Sequence, residues 1–357
     1  MINVTKTFLP PWHEYAEILK RAWDKSWITN NGELLLELES KLKKMLKTEQ
    51  LLFCSNGTVV LQMAIKALEL KGEIITTPFS YVATTNAIVW ENCNPVFVDI
   101  NRTDFNIDVA KIEQAVTSKT SAILVTHVYG NPCNVEAIKS IADKYNLKVI
   151  YDGAHAFGVM YKAKSLLSYG DVSTCSFHAT KLFHTVEGGA IIANDKSIAE
   201  KLMLYRQFGH VYDDYFSVGI NAKNSEFHSA MGLAVLPYIS QIIESRKTIS
   251  NLYDSLLLFN KLFKPTPLAE TETNFGYYPV VFENEDVLLK IKTILAKEKI
   301  FTRRYFYPSL NTLPFLNQKY ICPVSEEISR RVLCLPVYND LALADVEHIS
   351  NIINKNI

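Results

Sequence analysis

The chain has no surplus of either charge. Lysine plus arginine and aspartate plus glutamate stand at 37 each in 357 residues, and no basic run stands out. Binding a phosphate backbone needs clustered positive charge, so nucleic acid is not expected as a partner. Long apolar runs are missing as well: no stretch of about twenty apolar residues exists to cross a bilayer. The segment from Met1 to Trp12 has no apolar core of the kind a signal peptide carries. A cytoplasmic protein without a membrane partner is expected. The six cysteines, Cys54, Cys93, Cys133, Cys175, Cys322 and Cys334, are scattered, with no C-x-x-C pair and no histidine cluster beside them. That excludes a zinc site and a disulfide framework, leaving reduced, partly buried thiols and no metal. Neither G-x-G-x-x-G nor G-x-x-x-x-G-K occurs, which removes support for a nicotinamide or nucleoside-triphosphate fold.

What is present is apolar periodicity, in a chain that is 48% hydrophobic and long enough for one large domain or two. Residues 13–26 read as a first helix and 33–46 as a second, with Leu34, Leu38, Leu42 and Met45 on one face. A short strand at 51–54 leads through Ser55-Asn56-Gly57-Thr58 into a helix whose apolar face is Val60, Met63, Ala64, Ala67 and Leu68. From residue 73 to 194 apolar runs alternate with helical or turn segments: 74–77, 96–98, 122–126, 149–151, 172–177 and 190–193. Such alternation predicts an α/β fold, a mainly parallel sheet with helices on both faces. The C-terminal part reads as a smaller α/β unit, with strands at 277–282 and 333–337 and helices at 286–298 and 344–353. The division expected is a large domain over 1–247 and a small one over 248–357.

Chemistry concentrates at two strand ends. After the run 172–177, His178-Ala-Thr delivers Lys181 onto a turn, and Glu187-Gly188-Gly189 leads into the next strand. A lysine between buried strands is partly desolvated, which is expected to lower its pKa and supply a neutral amine. Upstream, the run 149–151 ends in Asp152, with His155 just after it. Open α/β sheets build their sites at such C-terminal strand ends. A lysine and an acid placed there make the pair that pyridoxal 5′-phosphate requires. The lysine holds the aldehyde as an imine, and the acid keeps the pyridine nitrogen protonated so that the ring acts as an electron sink. The turn 55–58 is an anion site by its chemistry, with helix-start N–H groups, a glycine for close approach and two hydroxyls; as bare structure it is an N-cap.

The segments Asp152-Gly-Ala-His155, Ser176-Phe-His-Ala-Thr-Lys181 and Glu187-Gly-Gly189 resemble those of the DegT/DnrJ/StrS family of sugar aminotransferases, in the family's order, from about Trp27 to the C-terminus. The resemblance implies a fold-type I pyridoxal-phosphate-dependent transferase. It implies that Lys181 and Asp152 are catalytic. Ser55, Asn56, Gly57, Thr58 and Ser176 would hold the cofactor phosphate, Tyr81 would stack on the pyridine ring, and His155 would join the cofactor site. A homodimer with shared sites is implied, because Gly219-x-Asn221 matches a segment that reaches the neighbouring subunit's phosphate; Lys223 stands where family members usually have arginine. The segment 300–308 resembles one folded over the sugar pocket, so Arg303, Arg304, Tyr305 and Tyr307 are expected near a nucleotide diphosphate. L-Glutamate is the donor the family suggests. His178 and Glu187 match members that aminate C4 of the sugar. The expectation is therefore a 4-aminotransferase acting on dTDP-4-keto-6-deoxy-D-glucose for bacterial surface polysaccharide such as O-antigen. A C3 aminotransferase and a non-catalytic cofactor-binding regulator are the alternatives.

Overall fold

The computed structural model describes residues 1–316 and 318–357. Among them, seven strands form the main sheet: β1 (Leu51–Cys54), β2 (Glu73–Thr76), β3 (Asn94–Phe97), β4 (Thr120–Thr126), β5 (Lys148–Asp152), β6 (Val172–Ser176) and β7 (Gly189–Ala193). Their order across the sheet is β1-β7-β6-β5-β4-β2-β3. β7 runs against both its neighbours and the other strands share one direction. Successive strand residues point to opposite faces. Ile75, Ile123, Val125, Val149 and Tyr151 therefore enter one core, while Ile74, Ala122, Leu124 and Ile150 enter the other. Burial on both faces is why these strands read as unbroken apolar runs.

Helices cover each face. α1 (Trp12–Asp24) and α2 (Glu33–Leu46) precede the sheet. Leu34, Leu38 and Leu42 of α2 are fully buried as expected, but Met45 is exposed, and Leu35 and Leu46 take the remaining buried places. The apolar stripe of α2 is thus rotated toward the side that meets the later helix α7 (Glu226–Val235). α3 (Gly57–Ala67) and α4 (Val82–Trp90) build the core on the opposite face, and α5 (Val135–Tyr145) joins that of α2. α6 (Lys196–Arg206) follows β7, with its Leu202 in the α3 core.

A second body grows from α8 (Ile239–Leu256). Ile239 and Ile242 of this continuous helix pack into the main core, whereas Ile249 and Tyr253 pack into the C-terminal one. The rest comprises an antiparallel pair, β8 (Tyr278–Val281) with β9 (Val332–Leu335), and the helices α9 (Glu285–Lys297), α10 (Pro323–Arg331) and α11 (Leu343–Asn356). A division at 247/248 remains a proposal and would fall inside α8. Unanticipated in the sequence, Ile2–Asn3 pairs in parallel with Ile300–Phe301, so the first residues belong to the C-terminal body. An aromatic seam joins the two bodies. In it Phe79, Phe105 and Tyr129 meet Phe306 and Val332. No helix is long and apolar enough to cross a membrane among the described residues.

His127 follows β4 with its ring stacked on Tyr151, centroids 4.6 Å apart. Its Nδ1 accepts from the Cys133 N–H at 3.1 Å. Burial pushes its pKa down to about 3, and burial also lowers His155 and His184. These rings stay neutral in the fold but bind protons when unfolded. Stability contributed by their neutrality is therefore complete above about pH 6.5 and falls as pH drops below it, by up to about 1.4 kcal/mol per pH unit per ring. Urea unfolding between pH 7.5 and 5 is expected to show this slope, and His127→Asn to flatten it by roughly one ring's share.

Candidate active site

The C-terminal ends of β1, β4, β5 and β6, and the start of the opposed β7, open at one edge of the sheet, where the lysine loop crosses from β6 to β7. The Phe177 N–H bonds the Gly188 carbonyl at 2.8 Å, the Thr185 N–H bonds the Phe177 carbonyl at 2.9 Å, and the Lys181 N–H closes a turn on the His178 carbonyl. Two residues from the N-terminus brace it. Thr7 donates its hydroxyl to the Ala179 carbonyl, and His184 donates Nε2–H to the Phe8 carbonyl at 2.6 Å.

Asp152 ends β5 almost fully buried. One carboxylate oxygen accepts from the Thr84 hydroxyl at 2.7 Å and the other from the Ala154 N–H at 3.0 Å. Behind Thr84 the hydroxyls continue to Ser80 at 2.9 Å and on to Thr126 at 2.7 Å. A buried carboxylate is tolerated when its lone pairs are filled this way. His155 lies near it with Nδ1 accepting the Tyr129 N–H at 3.2 Å. That bond assigns the remaining proton to Nε2. Burial, and then the charge on Lys181, hold the ring neutral.

Lys181 is half-buried, and its Nζ meets the Tyr277 hydroxyl at 3.1 Å. Burial, the largest influence, pulls the ammonium down; Tyr277, Asp152 and Tyr305 more than reverse it, so the group titrates above its ordinary value. The expected lowered pKa is thereby corrected. The loop desolvates the lysine as the sequence implied, but the same edge gathers phenols and an acid that stabilise its charge.

The turn into α3 is packed against the end of β6. A Cβ on Gly57 would stand 2.8 Å from Ser176 Cβ, and one on Gly189 would stand 2.5 Å from the Asn56 carbonyl oxygen. Only glycines allow these approaches. Asn56 is a helix cap: its Oδ1 accepts from the N–H groups of Thr58 at 3.0 Å and Val59 at 2.8 Å. Those two donors are therefore already engaged, which corrects the picture of a wholly free helix start. Ser55 is tied by its N–H to the Ala222 carbonyl. Asn221 precedes Ala222 in the chain; its side chain is exposed and accepts from Lys223 Nζ at 2.9 Å.

The remaining predicted residues divide. Tyr81 precedes α4 with 57% of its surface exposed, as a free stacking face requires. His178 and Glu187 flank the lysine loop as an exposed pair, 3.6 Å apart. Tyr305 stands perpendicular to Tyr277 at 5.9 Å, with the Arg303 guanidinium 5.2 Å from its own ring. Arg304 is withdrawn from this group: it bonds Glu285 at 2.7 Å and the carbonyls of Ser329 and Arg330, and its guanidinium covers Tyr307 at 3.5 Å. Arg304 is therefore a structural brace rather than a free cation, and Tyr307 is its platform. Thr84, Ser80 and Tyr277 were not foreseen; hydroxyls spaced four apart at the start of α4 were the available signal for the first two.

A sheet of this topology with a lysine and a buried acid at its C-terminal edge defines a fold-type I pyridoxal-phosphate-dependent transferase. The crystal structure of DesI in the presence of its TDP-sugar product superimposes with a TM-score of 0.94 at 28% identity, covering 99% of this chain and 92% of that one. Residues 13–354 match the DegT/DnrJ/EryC1/StrS aminotransferase family, to which the chain belongs. It is 40% identical to the dTDP-4-amino-4,6-dideoxy-D-glucose transaminase of Shigella dysenteriae, over 99% of this chain and 98% of that protein. To the Escherichia coli transaminase of the same name it is 39% identical, over 95% and 94%. The chain is thus a pyridoxal-phosphate-dependent sugar aminotransferase. Its residues fit the cofactor: a buried carboxylate satisfied on both oxygens, a lysine on a braced loop, and a turn too close to Ser176 for any Cβ.

Gly57→Ala is expected to push α3 away from Ser176, costing about 1–3 kcal/mol of stability. Thermal unfolding reads the first effect. Cofactor retained after dialysis, measured by absorbance, is expected to drop with it.

Proposed function

We propose that the enzyme moves an amino group from L-glutamate to C4 of dTDP-4-keto-6-deoxy-D-glucose, providing an amino sugar for a bacterial surface polysaccharide. The observation that carries the chemistry is the shared edge, where Lys181 and the buried Asp152 come together. The sugar is supported by the two relatives near 40% identity whose names specify it, and by His178 and Glu187 beside the lysine.

Pyridoxal phosphate, held by Lys181, supplies an electron sink for the charge that develops when a proton leaves the carbon bearing the amine. The chain's residues do the rest. Asp152 would keep a proton on the pyridine nitrogen by its negative charge, and Thr84 and Ala154 keep that carboxylate aimed. Gly57, Thr58, Ser55 and Ser176 would hold the phosphate, with Asn56 ordering the turn as its cap. Tyr81 would cover one face of the ring, and the neutral His155 would offer its Nε2–H. The free Lys181 amine would take a proton from the donor's α-carbon and, in the second half, deliver one to C4 of the sugar. Arg303 and Tyr305 line the approach for the nucleotide diphosphate.

The same reading makes the active unit a dimer in which Asn221 of the partner subunit completes each site. In its support, the loop before Asn221 exposes Tyr212, Tyr215, Phe216 and Val218, each by more than 60%. So many large apolar side chains in one loop are what an interface covers.

Lys181→Ala is expected to bind cofactor without the imine absorbance and to lose turnover entirely. The parent, given L-glutamate and the dTDP keto sugar, should yield a product whose proton NMR shows nitrogen at C4; nitrogen at C3 would overturn the sugar assignment. Mixing Lys181→Ala with Asn221→Asp by joint refolding should recover roughly a quarter of parental activity, because half the dimers are hybrid and each carries one intact site. No recovery in verified hybrids would place Asn221 at its own chain's site.

A further inference from the structure

We propose that Tyr277 is a positioning residue for the catalytic lysine, holding Lys181 Nζ by its hydroxyl whenever the amine is free of the cofactor. The proposal rests on the reading of Lys181 as the cofactor-bearing residue. Aminotransfer requires that amine to leave its bond and then act as base and acid at a fixed place. A four-carbon side chain released on a loop has many rotamers and gains entropy by leaving. Something has to retain it near the reacting carbon.

Tyr277 is built for this. Its hydroxyl is 3.1 Å from Lys181 Nζ. Its ring is fixed on three sides, by His155 at 4.6 Å, Tyr129 at 5.6 Å and Tyr305 at 5.9 Å. The backbone leading into it is pinned as well. Arg246, buried on α8, donates to the Gly276 carbonyl at 3.1 Å, and the Gly276 N–H bonds Asn274 Oδ1 at 2.9 Å. The amide of Asn274 in turn donates to the carbonyls of His155 and Phe157 at 2.9 and 2.8 Å. A phenol oxygen accepts from an ammonium and its O–H donates to a neutral amine, so one contact serves both protonation states of the lysine. No bond to carbon is made or broken at Tyr277.

Tyr277 immediately precedes β8, whereas Lys181 sits on the loop between β6 and β7. The contact therefore crosses between the two bodies. Only when the C-terminal body is docked does the free amine have its resting partner.

The test removes one oxygen. In cofactor-free protein, the rate at which an amine-reactive acylating reagent modifies Lys181 is followed against pH by peptide mass spectrometry. Tyr277→Phe removes the group that holds the ammonium charged, so its Lys181 profile should shift to lower pH, with labelling several-fold faster than in the parent at a fixed pH below the midpoint. Tyr129→Phe, which alters a neighbouring phenol without touching the lysine, should leave the profile in place. In loaded enzyme, single-turnover reaction with L-glutamate should slow roughly ten- to a hundredfold in Tyr277→Phe while the KM for glutamate changes little, the pattern for a misplaced acid–base group. A Tyr277→Phe profile superimposed on that of the parent would overturn the proposal, as would an equal shift in Tyr129→Phe. The labelling needs no sugar, so a wrong sugar assignment leaves this result standing, while a parent that forms no imine band with pyridoxal phosphate would refute the reading of Lys181 itself.

Discussion

A carboxylate buried at the end of a central strand is the constraint the rest of the site answers to. Asp152 has left most of its water behind, and an ionised acid in that position persists only where its oxygens are bonded. The relay through Thr84 and Ser80 to Thr126 meets that need while tying together the ends of β4 and β5 and the start of α4. The acid thus orders three neighbouring segments as it is being satisfied. Everything placed around the cofactor, from the turn at Gly57 to the loop of Lys181, takes its position from strands whose register that network helps to fix.

The main chain of this arrangement was readable in the residues themselves. Strands buried on both faces must be uniformly apolar, so the runs around Ile123, Ile150 and Ile191 declared a covered, mainly parallel sheet, and the small residues after Asp152 and before Gly189 marked its working edge. The partners of those residues were not readable. Thr84 lies 68 positions from Asp152, and Tyr277 lies 96 positions from Lys181. Nothing local distinguishes Tyr277 from the first residue of an ordinary strand. The lysine's electrostatics were misjudged for the same reason: burial is a local property legible from flanking strands, whereas the phenols that outweigh it arrive from the other body.

Arg303 and Arg304 show how a single step along the chain separates roles. Adjacent residues on extended backbone face opposite ways. Arg303 stays at the surface above Tyr305, and Arg304 turns inward to Glu285 and two carbonyls at the end of α10. Composition alone gave both the same reading. The inward arginine anchors the segment from which the outward one reaches, so their difference is a division of labour within one stretch.

The strap made by the first eight residues ties distant parts of the chain together. Ile2 and Asn3 pair with Ile300 and Phe301, the Val4 carbonyl accepts from Val337, and Thr7 and Phe8 brace the lysine loop. During synthesis Ile2 and Val4 leave the ribosome long before their partners Ile300 and Val337. Ile2, Asn3 and Val4 therefore wait, undocked, until the C-terminal body emerges, whereas Thr7 and Phe8 meet Ala179 and His184, which emerge much earlier. A nascent chain can complete the main sheet long before the strap is anchored at both of its ends. A nascent chain that stops short of Tyr277 and Ile300 therefore carries the lysine without its phenol partner and without the anchored strap.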